Sequence, residues 1–157
     1  MKLKLHLIFF IFFQTIICYA QEKRQVYYYE NGNLKSEIGF IGINLAGDCK
    51  HYYENGQLKT RGNYLNGKRN GTWSIYYENG QLKAQGDMFE GQKNGVWEWY
   101  YESGEMRFKG AFINGIKDGE WEEYFIEGEL SYKTRYNKGT LIKIVCFDKS
   151  GNKIECE

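Results

Sequence analysis

The sequence predicts an all-β protein, an elongated single-layer antiparallel sheet of tandem 24-residue β-hairpin repeats. Three observations carry that expectation. An aromatic pair recurs every 24 residues, as Tyr28-Tyr29, Tyr52-Tyr53, Tyr76-Tyr77, Tyr100-Tyr101 and Tyr124-Phe125, and a fixed period of this length marks a repeat architecture. A turn dipeptide keeps step with it: Asn31-Gly32, Asn55-Gly56, Asn79-Gly80, Ser103-Gly104 and Glu127-Gly128. The 157 residues include 19 glycines, 14 tyrosines and 10 phenylalanines but no proline, a mixture that favours strands and tight turns over helices.

Residues 1–20 read as a secretory signal peptide. Lys2 and Lys4 precede an apolar run from Leu7 to Ile17, and Cys18-Tyr19-Ala20 offers small residues three and one before a cut. The run is shorter than the roughly 20 residues of a spanning helix. Residues 21–157 form the repeat domain, with repeats at about 28–51, 52–75, 76–99, 100–123 and 124–146 and a truncated C-terminal hairpin at 147–157.

The third repeat shows how each unit is read. Trp73, Ile75 and Tyr77 alternate with Thr72, Ser74 and Tyr76, the period of a strand with one apolar face. Asn79-Gly80 then predicts a two-residue type I′ hairpin turn, because both residues accept positive φ. Leu82, Ala84, Gly86 and Met88 continue one face of the returning strand. A second glycine-rich turn, Gly91 to Gly95, leads to Trp97, with counterparts at Gly67 to Gly71 and Gly115 to Gly119.

Centring the hairpin on Asn79-Gly80 sets a register in which Tyr77 faces Leu82, Ile75 faces Ala84 and Trp73 faces Gly86. The same rule pairs Trp97 with Gly110 and Cys49 with Gly62. On the other face it pairs Glu98 with Lys109, Glu122 with Lys133 and Glu120 with Arg135, opposite charges that support a sheet. Lys50 opposite Arg61 breaks the pattern. The terminal units depart from the middle, as is common in repeat arrays: Ile38 and Thr134 replace the glycine, and Phe147 to Gly151 repeats the turn one residue early.

The pattern Gly-x-Trp-x-x-Tyr-Tyr-Glu-Asn-Gly-x-Leu-Lys at Gly71 to Lys83, with a close variant at Gly95 to Arg107, resembles the MORN repeat variant family. The resemblance covers about residues 26–139. It implies hairpins laid side by side in a twisted single-layered sheet, and similar proteins carry an antitoxin label. It implies little about activity, because function resides in a site and not in a scaffold.

Charge and chemistry narrow the function classes. The chain has 21 basic and 20 acidic residues, so no basic field invites nucleic acid. Membrane contact is expected only through the N-terminal segment, if it stays uncleaved. Outside residues 1–20 the one histidine is His51, at the position of Ile75 and Trp99, so no zinc set or catalytic triad assembles. Carboxylates such as Glu98 and Glu122 recur as ladder partners, and the glycines are spaced for turns. No catalytic residue, metal site or cofactor is expected, and the protein is not expected to be an enzyme. The remaining cysteines, Cys49, Cys146 and Cys156, allow a Cys146–Cys156 disulfide in an oxidising compartment, although the turn register pairs Cys146 with Glu155.

The candidate binding surface comprises two files. Tyr28, Tyr52, Tyr76, Tyr100 and Tyr124 form one, with Lys35, Lys59, Lys83 and Arg107 expected opposite the first four. Trp73, Trp97 and Trp121 form the other, on a face without a second layer to bury it. Exposed aromatics mark contacts, so the expected function is an exported, non-catalytic binding or scaffolding module of the cell envelope. A protein is the first expected partner and a glycan the second. The alternative is an antitoxin-like immunity protein that neutralises a toxin by surface contact.

Overall fold

The computed structural model describes residues 22–156. The expected signal segment, 1–20, lies outside the described residues. Twelve strands follow in order: β1 (Glu22–Tyr28), β2 (Leu34–Ile41), β3 (Asn44–Tyr52), β4 (Leu58–Leu65), β5 (Lys68–Tyr76), β6 (Leu82–Phe89), β7 (Gln92–Tyr100), β8 (Met106–Ile113), β9 (Ile116–Tyr124), β10 (Leu130–Asn137), β11 (Thr140–Phe147) and β12 (Lys153–Ile154). They form one sheet in which every strand lies beside its neighbours in sequence. At about 4.8 Å per strand the sheet extends about 50 Å from β1 to β12. The expected all-β, single-layer, hairpin-repeat architecture is the one observed.

The two kinds of turn exchange the roles expected of them. The type I′ geometry sits in the second turn, which is only two residues long: Asn66 and Gly67 take φ of 51° and 77°, and Glu90 and Gly91 take 50° and 84°. The rest of the Gly91 to Gly95 stretch is already strand β7. At Asn79-Gly80 only the glycine has positive φ, 88°. Tyr77 closes a three-residue loop there, its N–H donating to the Gln81 carbonyl at 2.9 Å while its own carbonyl accepts from Gly80 N–H at 3.0 Å.

Asn79 has other uses. Its Oδ1 accepts the Gln81 N–H at 2.9 Å and its Nδ2 donates to the Glu102 carbonyl of the next repeat at 3.1 Å. An Asn side chain that can bond its own backbone two residues on holds a type I bend as readily as it tolerates positive φ. The loop shifts the pairing by one residue, so that Tyr76, and not Tyr77, faces Leu82. Lys83 is then the unopposed residue of a bulge, which restores the expected register from Ile75–Ala84 outward.

The expected pairs Trp73–Gly86, Trp97–Gly110, Cys49–Gly62, Glu98–Lys109, Glu122–Lys133, Glu120–Arg135 and Lys50–Arg61 are all cross-strand partners. At the C-terminus Cys146 faces Ile154 instead of Glu155, because the Asp148 to Gly151 turn repeats the three-residue geometry, with Asp148 N–H bonded to the Asn152 carbonyl.

The core is built on one face without a covering layer. Trp73, Trp97 and Trp121 are only 3, 2 and 5% exposed. Each indole lies across the glycine of the strand before it. A Cβ on Gly62 would come within 2.2 Å of the Trp73 ring, one on Gly86 within 2.4 Å of Trp97, and one on Gly110 within 2.1 Å of Trp121. Trp97 thus sits on Gly86, its partner in the preceding strand β6, and not on Gly110 in β8.

The indole N–H groups donate to the carbonyls of Asn63, Asp87 and Ala111 at 3.2, 2.8 and 3.2 Å. Arg69, Lys93 and Lys117 cover the outer ring faces at 4.6, 4.6 and 4.1 Å from the ring centroids, a cation–π arrangement that also lays apolar stems over the rings. Burial, followed by the nearby Lys117 charge, lowers the Lys93 pKa. In the first repeat the bulk changes sides: Ile38 stands at the glycine position, opposite the small, buried Cys49.

Both ends of the sheet are protected. The outer strand β1 begins Glu22-Lys23-Arg24 and is exposed throughout, the charged edge that discourages further strand pairing. The other end is closed by the two-residue β12, beyond which Cys156 is bonded to Cys146 with a Cα–Cα distance of 5.4 Å.

Candidate functional site

The face opposite the tryptophans is organised in rows, because each repeat adds two strands and returns every position about 10 Å further along. Tyr52, Tyr76, Tyr100 and Tyr124 lie half-buried in one row, and Tyr28 continues it 63% exposed on the outer strand. The hydroxyl of Tyr52 donates to Glu37 at 2.8 Å, that of Tyr100 to Glu98 at 2.9 Å and that of Tyr124 to Glu122 at 2.7 Å. Burial first, then these carboxylate contacts, raises all three phenol pKa values.

The cations expected opposite this file lie elsewhere. Lys35, Lys59, Lys83 and Arg107 cover the second aromatic of each pair, Tyr29, Tyr53, Tyr77 and Tyr101, at 5.0–5.6 Å. The bulge at each of these cations turns it back toward the loop. Among the described residues the file itself receives cations at two positions, Arg61 over Tyr76 at 6.0 Å and Lys109 over Tyr124 at 5.9 Å.

The second aromatics have a structural task the sequence reading did not assign. Tyr29 Oη donates to the Tyr52 carbonyl at 2.7 Å. Tyr53, Tyr77 and Tyr101 repeat the contact to the carbonyls of Tyr76, Tyr100 and Tyr124, each at 2.8 Å. Each repeat is thereby bonded to the next beyond the strand ladder. The signal was present in the sequence: the hydroxyl disappears at Phe125, the last of the series.

A continuous polar row runs beside the Tyr file. Glu37, Lys50, Arg61, Ser74, Gln85, Glu98, Lys109, Glu122 and Lys133 are successive cross-strand partners over nine strands, and the ladder ends on the apolar Val26 and Val145. The row was only half legible beforehand, because the pairing between hairpins depends on the two-residue second turn. In its C-terminal half the charges alternate. Glu122 lies 3.1 Å from Lys109 and 2.9 Å from Lys133. The bond from Lys133, then that from Tyr124, brings its carboxyl down to about 2. In the N-terminal half Lys50 and Arg61 stand side by side, and among the described residues neither has a carboxylate within 4 Å.

Two hollows accompany these rows. One, of about 460 Å³, lies over the polar row and is lined by Asp48, Lys50, Arg61, Asn63, Thr72, Ser74 and Gln85, together with Cys49 and Gly62. The other, of about 320 Å³, opens on the Trp face near the C-terminus, between Phe108, Trp121, Tyr132, Thr134, Tyr136 and Ile144. It exists because Thr134 and Ile144 pair where the inner repeats place Gly and Trp.

Of the expected surface residues, the five tyrosines share one face, whereas Trp73, Trp97 and Trp121 are interior packing of the other. Their rings are occupied on both sides, by a glycine backbone below and a cation above. His51 lies 3.3 Å from the Cys49 sulfur, and burial, then Arg69, keeps its pKa below the usual value. Among the described residues no three His, Cys, Asp or Glu side chains are grouped to hold a metal.

A ladder of hairpins, the inner ones locked to their neighbours by a Trp on a Gly and a Tyr on a carbonyl, defines a tandem β-hairpin repeat protein. The MORN repeat variant model matches residues 21–41, 45–66, 69–89 and 93–114, and the chain belongs to that family. These matches frame each unit as one hairpin, such as β3–β4, where the sequence reading began each repeat at its Tyr-Tyr pair. No curated protein matches the chain.

Proposed function

We propose that this protein is an exported, non-catalytic binding and scaffolding module of the cell envelope that engages a protein partner through its Tyr face. The observation that carries this reading is the division between the two faces. The tryptophans are consumed in holding the sheet together, while the tyrosines stand half-exposed at regular intervals beside a polar row. Rigid aromatic side chains with a polar tip supply contact area at low entropic cost. A regular row on a stiff sheet suits an extended partner better than a compact one.

Export rests on the layout of residues 1–20. The absence of a convergent nucleophile–base pair in the sequence supports a non-catalytic role. An antitoxin-like role is a special case, in which the partner is a toxin and binding is stoichiometric. Fractionation of cells with N-terminal sequencing, together with chemical crosslinking in intact cells, tests the proposal. Recovery of the mature chain outside the cytosol with a crosslinked protein supports it. A cytosolic chain retaining residues 1–20, or a chain with no crosslinked partner, contradicts it.

A further inference from the structure

From the polar hollow between β3 and β6 we infer a subsite for a sugar unit carrying a carboxylate. It deepens the binding role above by naming a second ligand on the same face. The polar row provides its own comparison. Where its charges alternate, Glu122 satisfies a lysine on each side at 3.1 and 2.9 Å. At Lys50 and Arg61 two cations are direct cross-strand partners, an arrangement that destabilises a sheet.

Neighbouring acids do not relieve them. Glu37, the next partner of Lys50, is engaged by Arg24 at 3.6 Å and by the Tyr52 hydroxyl at 2.8 Å. Asp48 lines the same hollow without reaching either cation within 4 Å. An anionic group placed between Lys50 and Arg61 removes the repulsion and gains charge-assisted hydrogen bonds.

The surroundings select the rest of the ligand. The hollow, about 460 Å³ and open to solvent above the sheet, has room for a sugar ring lying on the sheet face. Beside Lys50, Arg61 and the Asp48 carboxylate, its lining is side-chain hydroxyl and amide from Thr72, Ser74, Asn63 and Gln85. Ser74 Oγ donates to Gln85 Oε1 at 3.4 Å, which leaves the Gln85 amide protons to donate outward. Thr72 already donates to Asp87 at 2.7 Å, so its oxygen remains an acceptor. Strands β3 to β6 are interior, with ladder partners on both sides, so a peptide has no free backbone edge to pair with here. A compact polyhydroxyl ring bearing an acid matches the donors that remain, with Tyr52 and Tyr76 two residues along the same face from Lys50 and Ser74.

The test is titration of the folded full chain with trigalacturonate, its neutral trisaccharide counterpart with the acids reduced to alcohols, and a tri-glutamate peptide. Side-chain amide resonances of Asn63 and Gln85 report the site. The expected result is trigalacturonate binding that shifts both resonances, with affinity at least tenfold weaker for the neutral sugar and for the Lys50→Gln/Arg61→Gln variant. The charge-matched Lys68→Gln/Lys138→Gln variant keeps the wild-type affinity. Removing a like-charge pair leaves the melting temperature unchanged or raised, so loss of binding is not loss of fold.

Absence of trigalacturonate binding at millimolar concentration overturns the inference. So does equal affinity in the Lys50→Gln/Arg61→Gln variant, or tri-glutamate binding as tightly as the sugar. Scoring partner capture in cells on the same variant separates this subsite from the wider binding role. Capture that persists while trigalacturonate fails leaves that role standing and removes only the sugar.

Discussion

Substituting Gly86 by alanine applies the smallest possible wedge to the element on which the fold depends. The new Cβ falls 2.4 Å from the Trp97 ring, well inside any van der Waals contact. Gly86 is paired on both sides, to Trp73 and to Trp97, so its backbone cannot retreat. Trp97 must lift instead. Overpacking of this kind costs about 1–3 kcal/mol. Lifting the ring also strains the 2.8 Å bond from its indole N–H to the Asp87 carbonyl, worth about 0.5–1.5 kcal/mol. The expected loss is therefore about 1.5–4.5 kcal/mol.

Urea unfolding of the disulfide-intact chain, followed by tryptophan fluorescence and circular dichroism together, measures it. Nearest-neighbour coupling in repeat arrays can break two-state behaviour, so both probes must give one transition before a free energy is quoted. A partner experiment uses the chain's own solution at Ile38 and Cys49. Gly86→Ile alone should fail badly, and Gly86→Ile with Trp97→Cys should recover part of the loss as a favourable coupling. A Gly86→Ala cost below about 0.5 kcal/mol, the range of an ordinary surface change, would refute the claim that Trp-on-Gly packing holds the layer together.

Other perturbations follow from the same contacts. Tyr77→Phe removes the 2.8 Å bond to the Tyr100 carbonyl and should cost about 0.5–1.5 kcal/mol in urea unfolding, whereas Phe125→Tyr, at the position that already lacks the hydroxyl, should gain less than that. Reduction of Cys146–Cys156, closing a loop of sequence separation 10, should raise the intact mass by two hydrogens. It should also speed hydrogen exchange in β11 and β12, with a loop-entropy contribution of about 2.7 kcal/mol lost. The Glu122 carboxyl, held down to about 2 by Lys133 and Tyr124, is depressed in the folded state. Its contribution is present above the ordinary value of 4.5 and is lost as pH falls toward about 2. The stability gap between wild type and Glu122→Gln should therefore shrink across that window, measured by melting temperature from pH 6 down to about pH 2.

Much of the fold was legible because the repeat writes the same constraints many times. The pairing of Ile75 with Ala84 and Trp73 with Gly86 follows from any hairpin centred near Asn79-Gly80, and two offsetting one-residue shifts left those pairs intact. What failed was local. Asn-Gly was read through backbone preference alone, while the Asn79 side chain spends its amide on Gln81 and Glu102 and fixes a different bend. That bend moves Lys83 from Tyr76 to Tyr77, and with it the cations of the whole file.

The Trp file was misplaced for a related reason. Period-two patterning says which face a ring is on, but not that it can lie down across a neighbouring glycine and be capped by a cation four residues earlier in its own strand. The polar row stayed hidden in half its length because its links between hairpins pass through a turn whose true length only the backbone geometry reveals. Lys50 opposite Arg61 was visible from the start as an exception, and it is the exception that points to a ligand.

The two-faced account is tested most directly by photo-crosslinking in intact cells with a photoreactive residue placed at single positions. Tyr76 and Tyr100 sample the Tyr face, and Phe108 and Thr134 sample the Trp face. The account predicts adducts to a discrete protein partner from Tyr76 and Tyr100 and none from Phe108 or Thr134. Adducts confined to Phe108 and Thr134 would contradict it, and would move the binding surface to the face assigned here to holding the sheet together.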